Sequence, residues 1–343
     1  MKKRLFVICP GRGSYTKESL GYLKNITGSF RQIVDDFDER RRELNYPTIS
    51  ELDNSKTFKT NVHTKGEHAS PLIYTCSAWD YHQINKEDFE VVAIAGNSMG
   101  WYLTLAMSQA LDYRSAYTLI QTMGSMMKDK LIGGQVIYPI VDDQWHVDAT
   151  KKALVFQLTN TLNQQPDTQC FLSIELGGYL VIAGNDLAIK KLLKELPSDG
   201  DFPFQLINHG AFHTPLLKDV SEKAFNTINA EIFHQPKVPI IDGRGHIWHP
   251  YSTDVLDLYE YTLGHQVTEP YDFTASVITG LKEFAPDHIV LLGPGNSLGG
   301  SIGQILVQTK WHGITSKSDF SIQQKEHPFL ISMGDSQQKK LVV

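Results

Sequence analysis

The sequence predicts an α/β fold: a mostly parallel sheet covered by helices, with a smaller α+β unit inserted into it. Three observations carry this reading. Short apolar runs alternate with helical periodicity over the first part of the chain, as parallel sheets with helical crossovers require. One of those runs leads straight into Gly96-Asn97-Ser98-Met99-Gly100, a turn that belongs between a strand and a helix. Between about 133 and 207 the order changes to β-α-β-β-α-β, the split βαβ or ferredoxin-like unit.

Taken in order, Leu5–Cys9 predicts a buried first strand that runs into Pro10-Gly11-Arg12-Gly13-Ser14. Helical patterns fill much of about 19–45 and 70–85. The strand before Ser98 follows, then helices over about 99–111 and 113–130. After Gly133-Gly134 a strand is expected over 136–141. A helix over about 149–164 places Leu154, Leu158 and Leu162 at spacing four. Residues 171–176 and 179–183 pair around Gly177-Gly178. A helix over 188–196 and a strand over 204–207 complete the unit. The main sheet resumes near His209. It is expected to have helices at about 215–232, 252–263 and 271–284, and strands at 238–241 and 289–292. The tail after about Ser318 is polar and carries no legible motif.

Bulk properties narrow the function. The 343 residues suffice for one large domain or two ordinary ones, and 41% hydrophobic with 20% charged suits a globular enzyme. A net charge of −6 with no extended basic stretch argues against nucleic acid. Cys9, Cys76 and Cys170 lack CxxC spacing, so neither a disulfide framework nor a metal site is expected. His246 and His249 have H-x-x-H spacing without further ligands, and read as loop histidines. No apolar run is long enough to span a membrane. Lys2-Lys3-Arg4 before an apolar run resembles the start of a signal peptide. That run stops at Pro10-Gly11, so a strand and a cytoplasmic location are expected.

The G-x-S-x-G turn suggests a serine nucleophile. A sharp strand-to-helix turn lifts the hydroxyl out of the sheet, and the following helix N-terminus offers N–H groups to developing negative charge. On this motif alone, a glycine turn carrying an inert serine is the alternative. Three more loops follow strand-like segments: Pro10–Ser14, Asn208–Pro215 with His209 and His213, and Gly293-Pro294-Gly295. In an open α/β sheet such loops gather where ligands bind.

The four loops together resemble those of the malonyl-CoA:acyl carrier protein transacylases and the acyltransferase domains of polyketide and fatty acid synthases. That family reads P-G-Q-G-S, G-H-S-x-G, A-F-H-S-P and G-P-G in this order. This chain has Pro10-Gly11-Arg12-Gly13-Ser14, Gly96-Asn97-Ser98-Met99-Gly100, Ala211-Phe212-His213-Thr214-Pro215 and Gly293-Pro294-Gly295. The resemblance implies an α/β-hydrolase-like core with a parallel sheet, residues 1–132 and 208–343, plus an inserted ferredoxin-like α+β subdomain, residues 133–207. It implies that Ser98 is the nucleophile, that His213 is its base, and that the Arg12 and Met99 backbone N–H groups hold the oxyanion. A backbone carbonyl just before Gly293 is expected to orient His213. The implied substrates are acyl-CoA or phosphopantetheinyl thioesters, and the partner is an acyl carrier protein. No permanent cofactor, metal, nucleic acid or membrane is implied. A thioester hydrolase that clears carrier proteins is the alternative, since only the attacking group differs.

The chain departs from the family in the acyl pocket. Malonyl-using members carry an arginine in the helix after the nucleophile. Here Met123 stands there, within Gln121-Thr122-Met123-Gly124-Ser125-Met126-Met127. A planar guanidinium pairs with a carboxylate, whereas methionine offers no donor. A neutral acyl group in place of malonyl is therefore expected, with Met123, Asn97 and Phe212 shaping the pocket. Asn97 replaces the family histidine, and Ile174–Tyr179 replaces an Asn-rich strand and turn. Arg12 replaces glutamine. It is open to three roles: a surrogate carboxylate anchor, a contact for CoA or carrier phosphates, or an outward-pointing side chain.

Overall fold

Two sheets organise the chain in the computed structural model, which describes residues 1–343. In chain order the strands are Lys3–Cys9 (β1), Phe89–Gly96 (β2), Gly134–Pro139 (β3), Cys170–Leu176 (β4) and Tyr179–Gly184 (β5). Phe204–Gln205 (β6), Ile240–Ile241 (β7), Ile247–Trp248 (β8), Tyr271–Asp272 (β9), His288–Leu291 (β10) and Leu330–Ser332 (β11) follow. The larger sheet has the order β11-β10-β1-β2-β7-β8. All its pairings are parallel except the short β7–β8 hairpin at one edge. β1 is buried from Leu5 onward, as expected for a strand covered on both faces.

Register decides where the loops meet. Cys9 at the end of β1 pairs with Gly96 at the end of β2, and Ile8 pairs with Leu291 at the end of β10. Three strands therefore finish side by side. The Pro10–Ser14 loop, the Ser98 turn and the Gly293 turn emerge at one edge.

The second sheet has the order β6-β3-β5-β4-β9. β6, β3, β5 and β4 pair antiparallel in the order of a ferredoxin-like unit, with helices Ala149–Asn163 and Asp186–Glu195 packed on it. Its core, around Val136, Ile182 and Leu192, is separate from the main one. The smaller sheet also takes in β9. This pair of residues pairs parallel with β4 although it lies in the later segment.

Several expected boundaries shift. The helix expected from about residue 19 begins only at Ser29, because Gly21 and Gly28 adopt positive φ and interrupt it. The helix expected over 215–232 stops at Phe225. The one expected from 271 starts at Phe273, where Asp272 caps it after β9. The unreadable tail forms a helix at Lys317–Glu326, the edge strand β11 and a helix at Ser336–Lys339. Three residues of strand are too few for a period of two to show. No helix is long and apolar enough to cross a membrane.

Candidate active site

Ser98 sits at φ 56°, a left-handed conformation that few non-glycine residues adopt. Such a turn between β2 and the Gly100–Met107 helix needs room on both sides. A Cβ at Gly96 would fall 2.3 Å from Gly100, and one at Gly100 would fall 2.4 Å from the Cys9 carbonyl oxygen. The two glycines let the turn lie directly against β1.

The structure brings Ser98 and His213 together. Ser98 Oγ lies 2.7 Å from His213 Nε2. On the other side of the ring, His213 Nδ1 lies 2.6 Å from the backbone carbonyl of Gln266. A carbonyl only accepts, so the proton sits on Nδ1 and Nε2 is free to accept from the serine. This corrects the expectation that a carbonyl just before Gly293 orients the histidine. Gln266 follows a π-helical turn at Tyr261–His265, a distortion that a local sequence pattern does not announce. The Gln266 side chain also donates to the Ser98 carbonyl at 3.1 Å and accepts from Tyr102 Oη at 2.8 Å. Gln266 and Tyr102 escaped sequence reasoning because neither belongs to a motif.

Burial lowers His213 to about pKa 4, against the raising effect of its bond to Gln266. The imidazole is therefore neutral at pH 7. His209 does not meet Ser98. Its Nδ1 lies 3.0 Å from Gln135 Oε1, and burial keeps its pKa well below the usual range.

The Met99 and Arg12 backbone N–H groups make no hydrogen bond within the chain. Both residues line the space around Ser98, so two donors are free there. Ser98 opens onto two spaces. One is a small chamber of about 60 Å³ lined by Met99, Met123, Met127, Phe212 and Val267. The other is a cleft of about 380 Å³ between the two sheets, lined by Ile137, Ile174, Leu176, Phe204 and Leu298. Met123 and Phe212 both line the chamber. Asn97 does not line the chamber. It lines the cleft, because the turn that raises Ser98 sends the neighbouring side chain back toward Gly11.

The fold and the serine–histidine pair define a class: an α/β fold with a nucleophile turn at the edge of a mostly parallel sheet and an inserted ferredoxin-like unit. The chain is 24% identical over 303 residues to the polyketide biosynthesis malonyl CoA-acyl carrier protein transacylase PksC of Bacillus subtilis. That match covers 87% of this chain and 96% of the relative. Its fold is similar to an acyl-carrier-protein S-malonyltransferase from Burkholderia pseudomallei, with TM-score 0.74, 18% identity and coverage of 99% of both chains. It is also similar to the malonyl-transacylase solved with its type II PKS acyl-carrier protein AntF, with TM-score 0.73, 18% identity, and coverage of 99% of this chain and 98% of that one. No family model matches the chain. The relatives bear out the resemblance drawn from the four loops.

Proposed function

We propose that the protein moves an acyl group from a CoA thioester to an acyl carrier protein through an acyl-Ser98 intermediate. The observation that carries this is the Ser98–His213–Gln266 relay at the floor of a cleft. Ser98 Oγ attacks the thioester carbonyl carbon while His213 Nε2 takes the serine proton. The oxyanion forms against the free Met99 and Arg12 N–H groups. As the tetrahedral intermediate collapses, the carbon–sulfur bond breaks and the imidazolium returns its proton to the leaving thiolate. The phosphopantetheine thiol of the carrier then repeats the sequence in reverse on acyl-Ser98. PksC is named for polyketide biosynthesis, and a cytoplasmic place in such a pathway, or in fatty acid biosynthesis, fits this reading.

The finer point, which acyl group, turns first on Met123. It lines the chamber beside Ser98 and offers no hydrogen-bond donor. Taken alone it favours a neutral acyl group, acetyl or longer, over malonyl held from the Tyr113–Ser125 helix.

Intact-mass measurement of acyl-Ser98 across a panel of acyl-CoAs, with and without a holo carrier, tests the transfer. Transfer predicts an adduct that persists in water and discharges on adding the carrier thiol. Discharge at the same rate without carrier would make the protein a thioester hydrolase. No adduct on the wild-type chain, or an adduct retained in Ser98→Ala, would overturn the acyl-serine reading.

A further inference from the structure

We infer that Arg12 reads the acyl group and selects short acyl thioesters that end in a carboxylate. The inference rests on the acyl-Ser98 reading and names the substrate class for it. It also sets aside the neutral acyl group that Met123 alone suggests.

The Arg12 side chain runs from the end of β1 along the wall of the small chamber. Its Nη2 donates to the carbonyl oxygens of Asn208 at 2.6 Å and Thr64 at 3.3 Å. The Phe212 ring lies 5.3 Å from the guanidinium carbon. These contacts fix one side of the fork. Nε is buried and has no partner. No carboxylate forms an ion pair with the guanidinium. Burial lowers its pKa to about 10, partly offset by the nearby charge of Glu67, so it remains charged at neutral pH. A cation held out of water with donors unused is costly unless an anion meets it.

The chamber contains no other permanently charged side chain. His209 does not add a second charge, because burial and Arg12 both hold it neutral. The location is also informative. The Gly66–Gln83 and Tyr113–Ser125 helices touch backbone to backbone, and a Cβ at Gly66 would fall 2.4 Å from the Gly124 carbonyl oxygen. That same Cβ would fall 3.5 Å from Arg12 Nη1. The guanidinium therefore ends beside Gly124, next in sequence to Met123. Two departures from the motif pattern compensate each other: the cation absent from the helix at position 123 is supplied beside Gly124 by the loop residue at position 12. A chamber of about 60 Å³ holds only a few heavy atoms, so the carboxylate belongs to a short acyl group.

The test measures kcat/KM for Ser98 acylation by malonyl-CoA and by acetyl-CoA, because discrimination is the ratio of the two. The wild-type chain is expected to prefer malonyl. Arg12→Gln should lower the malonyl-to-acetyl ratio by about 10- to 100-fold, the scale of one buried charge-assisted pair. Arg12→Lys should keep part of the ratio, and Met123→Arg in the Arg12→Gln background should restore part of it. A merely structural role would slow both donors alike and leave the ratio unchanged, which would overturn the inference. A wild-type preference for acetyl that survives Arg12→Gln would overturn it as well, while leaving acyl-Ser98 intact. Wild-type chain that forms no adduct with either donor would remove the acyl-serine reading and the anchor together.

Discussion

At the scale of single residues, the site is a balance between strain and proton placement. Ser98 holds a left-handed backbone, and alanine carries the same Cβ, so Ser98→Ala removes only the hydroxyl. That variant should melt at the wild-type temperature and show no mass adduct with any thioester. His213→Ala should slow acylation by about 10² to 10⁴, the range for losing a positioned base. A near-wild-type rate would move the role to another group. The pH profile follows from burial. His213 is neutral above a pKa of about 4 and charged below it. The acylation rate should therefore stay level through pH 6.5 and fall only as pH drops toward 4. A fall centred on the ordinary histidine range would contradict the desolvated site. Arg12 and Met123 belong to this scale too, since the charge each supplies or withholds is local.

At the scale of elements, the orienting group of the relay is backbone, not side chain. Gln266→Ala leaves its carbonyl facing His213 Nδ1 but removes the bonds to Tyr102 and the Ser98 carbonyl. Two hydrogen bonds of about 1 kcal/mol each cap the loss at roughly 30-fold in acylation rate, below the range for His213→Ala. Stopped-flow acylation of the two variants side by side would test this order. The unreadable tail is a second case. The Ser336–Lys339 helix places Lys339 Nζ 2.6 Å from Asp80 Oδ1. Asp80 Oδ2 accepts from the Gly293 N–H at 2.7 Å and from Tyr22 Oη at 2.6 Å. The tail therefore fastens the Gly293 turn. Lys339→Met leaves a buried carboxylate unpaired and should lower stability by about 3 kcal/mol at pH 7 in urea melts. Burial already raises the Asp80 pKa, and losing the lysine raises it further. Asp80 protonates as pH falls, so the deficit should shrink toward acid pH. A deficit that grows on acidification would contradict the pairing.

At the scale of the whole molecule, two sheets with separate cores must hold one site between them. β9 is the link. It pairs with β4 in the smaller sheet, while Tyr271 Oη donates to the Gly96 carbonyl at 2.6 Å, at the end of β2 in the larger one. The Tyr271 ring also packs 5.3 Å from that of His213. Tyr271→Phe keeps the ring and leaves the Gly96 carbonyl unpaired. It should cost about 1–3 kcal/mol of stability, read from thermal melts. An unchanged melting temperature would mean that this bond adds nothing to the hold between the two sheets.

The sequence by itself determined the alternation of strand and helix, the inserted β-α-β-β-α-β unit and the four glycine-marked loops. Each of these is written in local periodicity or in residues that only a sharp turn demands, at Gly96 and Gly100 above all. It also marked Met123 and Arg12 as departures. It left their relation open among three roles for Arg12, because the loop after β1 and the helix carrying Met123 lie far apart in the chain and meet beside the close contact at Gly66 and Gly124. The tertiary structure alone decided that Gln266 faces His213, that Asn97 turns into the cleft, and that Lys339 reaches Asp80. These contacts join residues far apart in the chain, across elements as short as β9 and β11. Such elements are too brief to leave a period and are formed by the register of strands already in place.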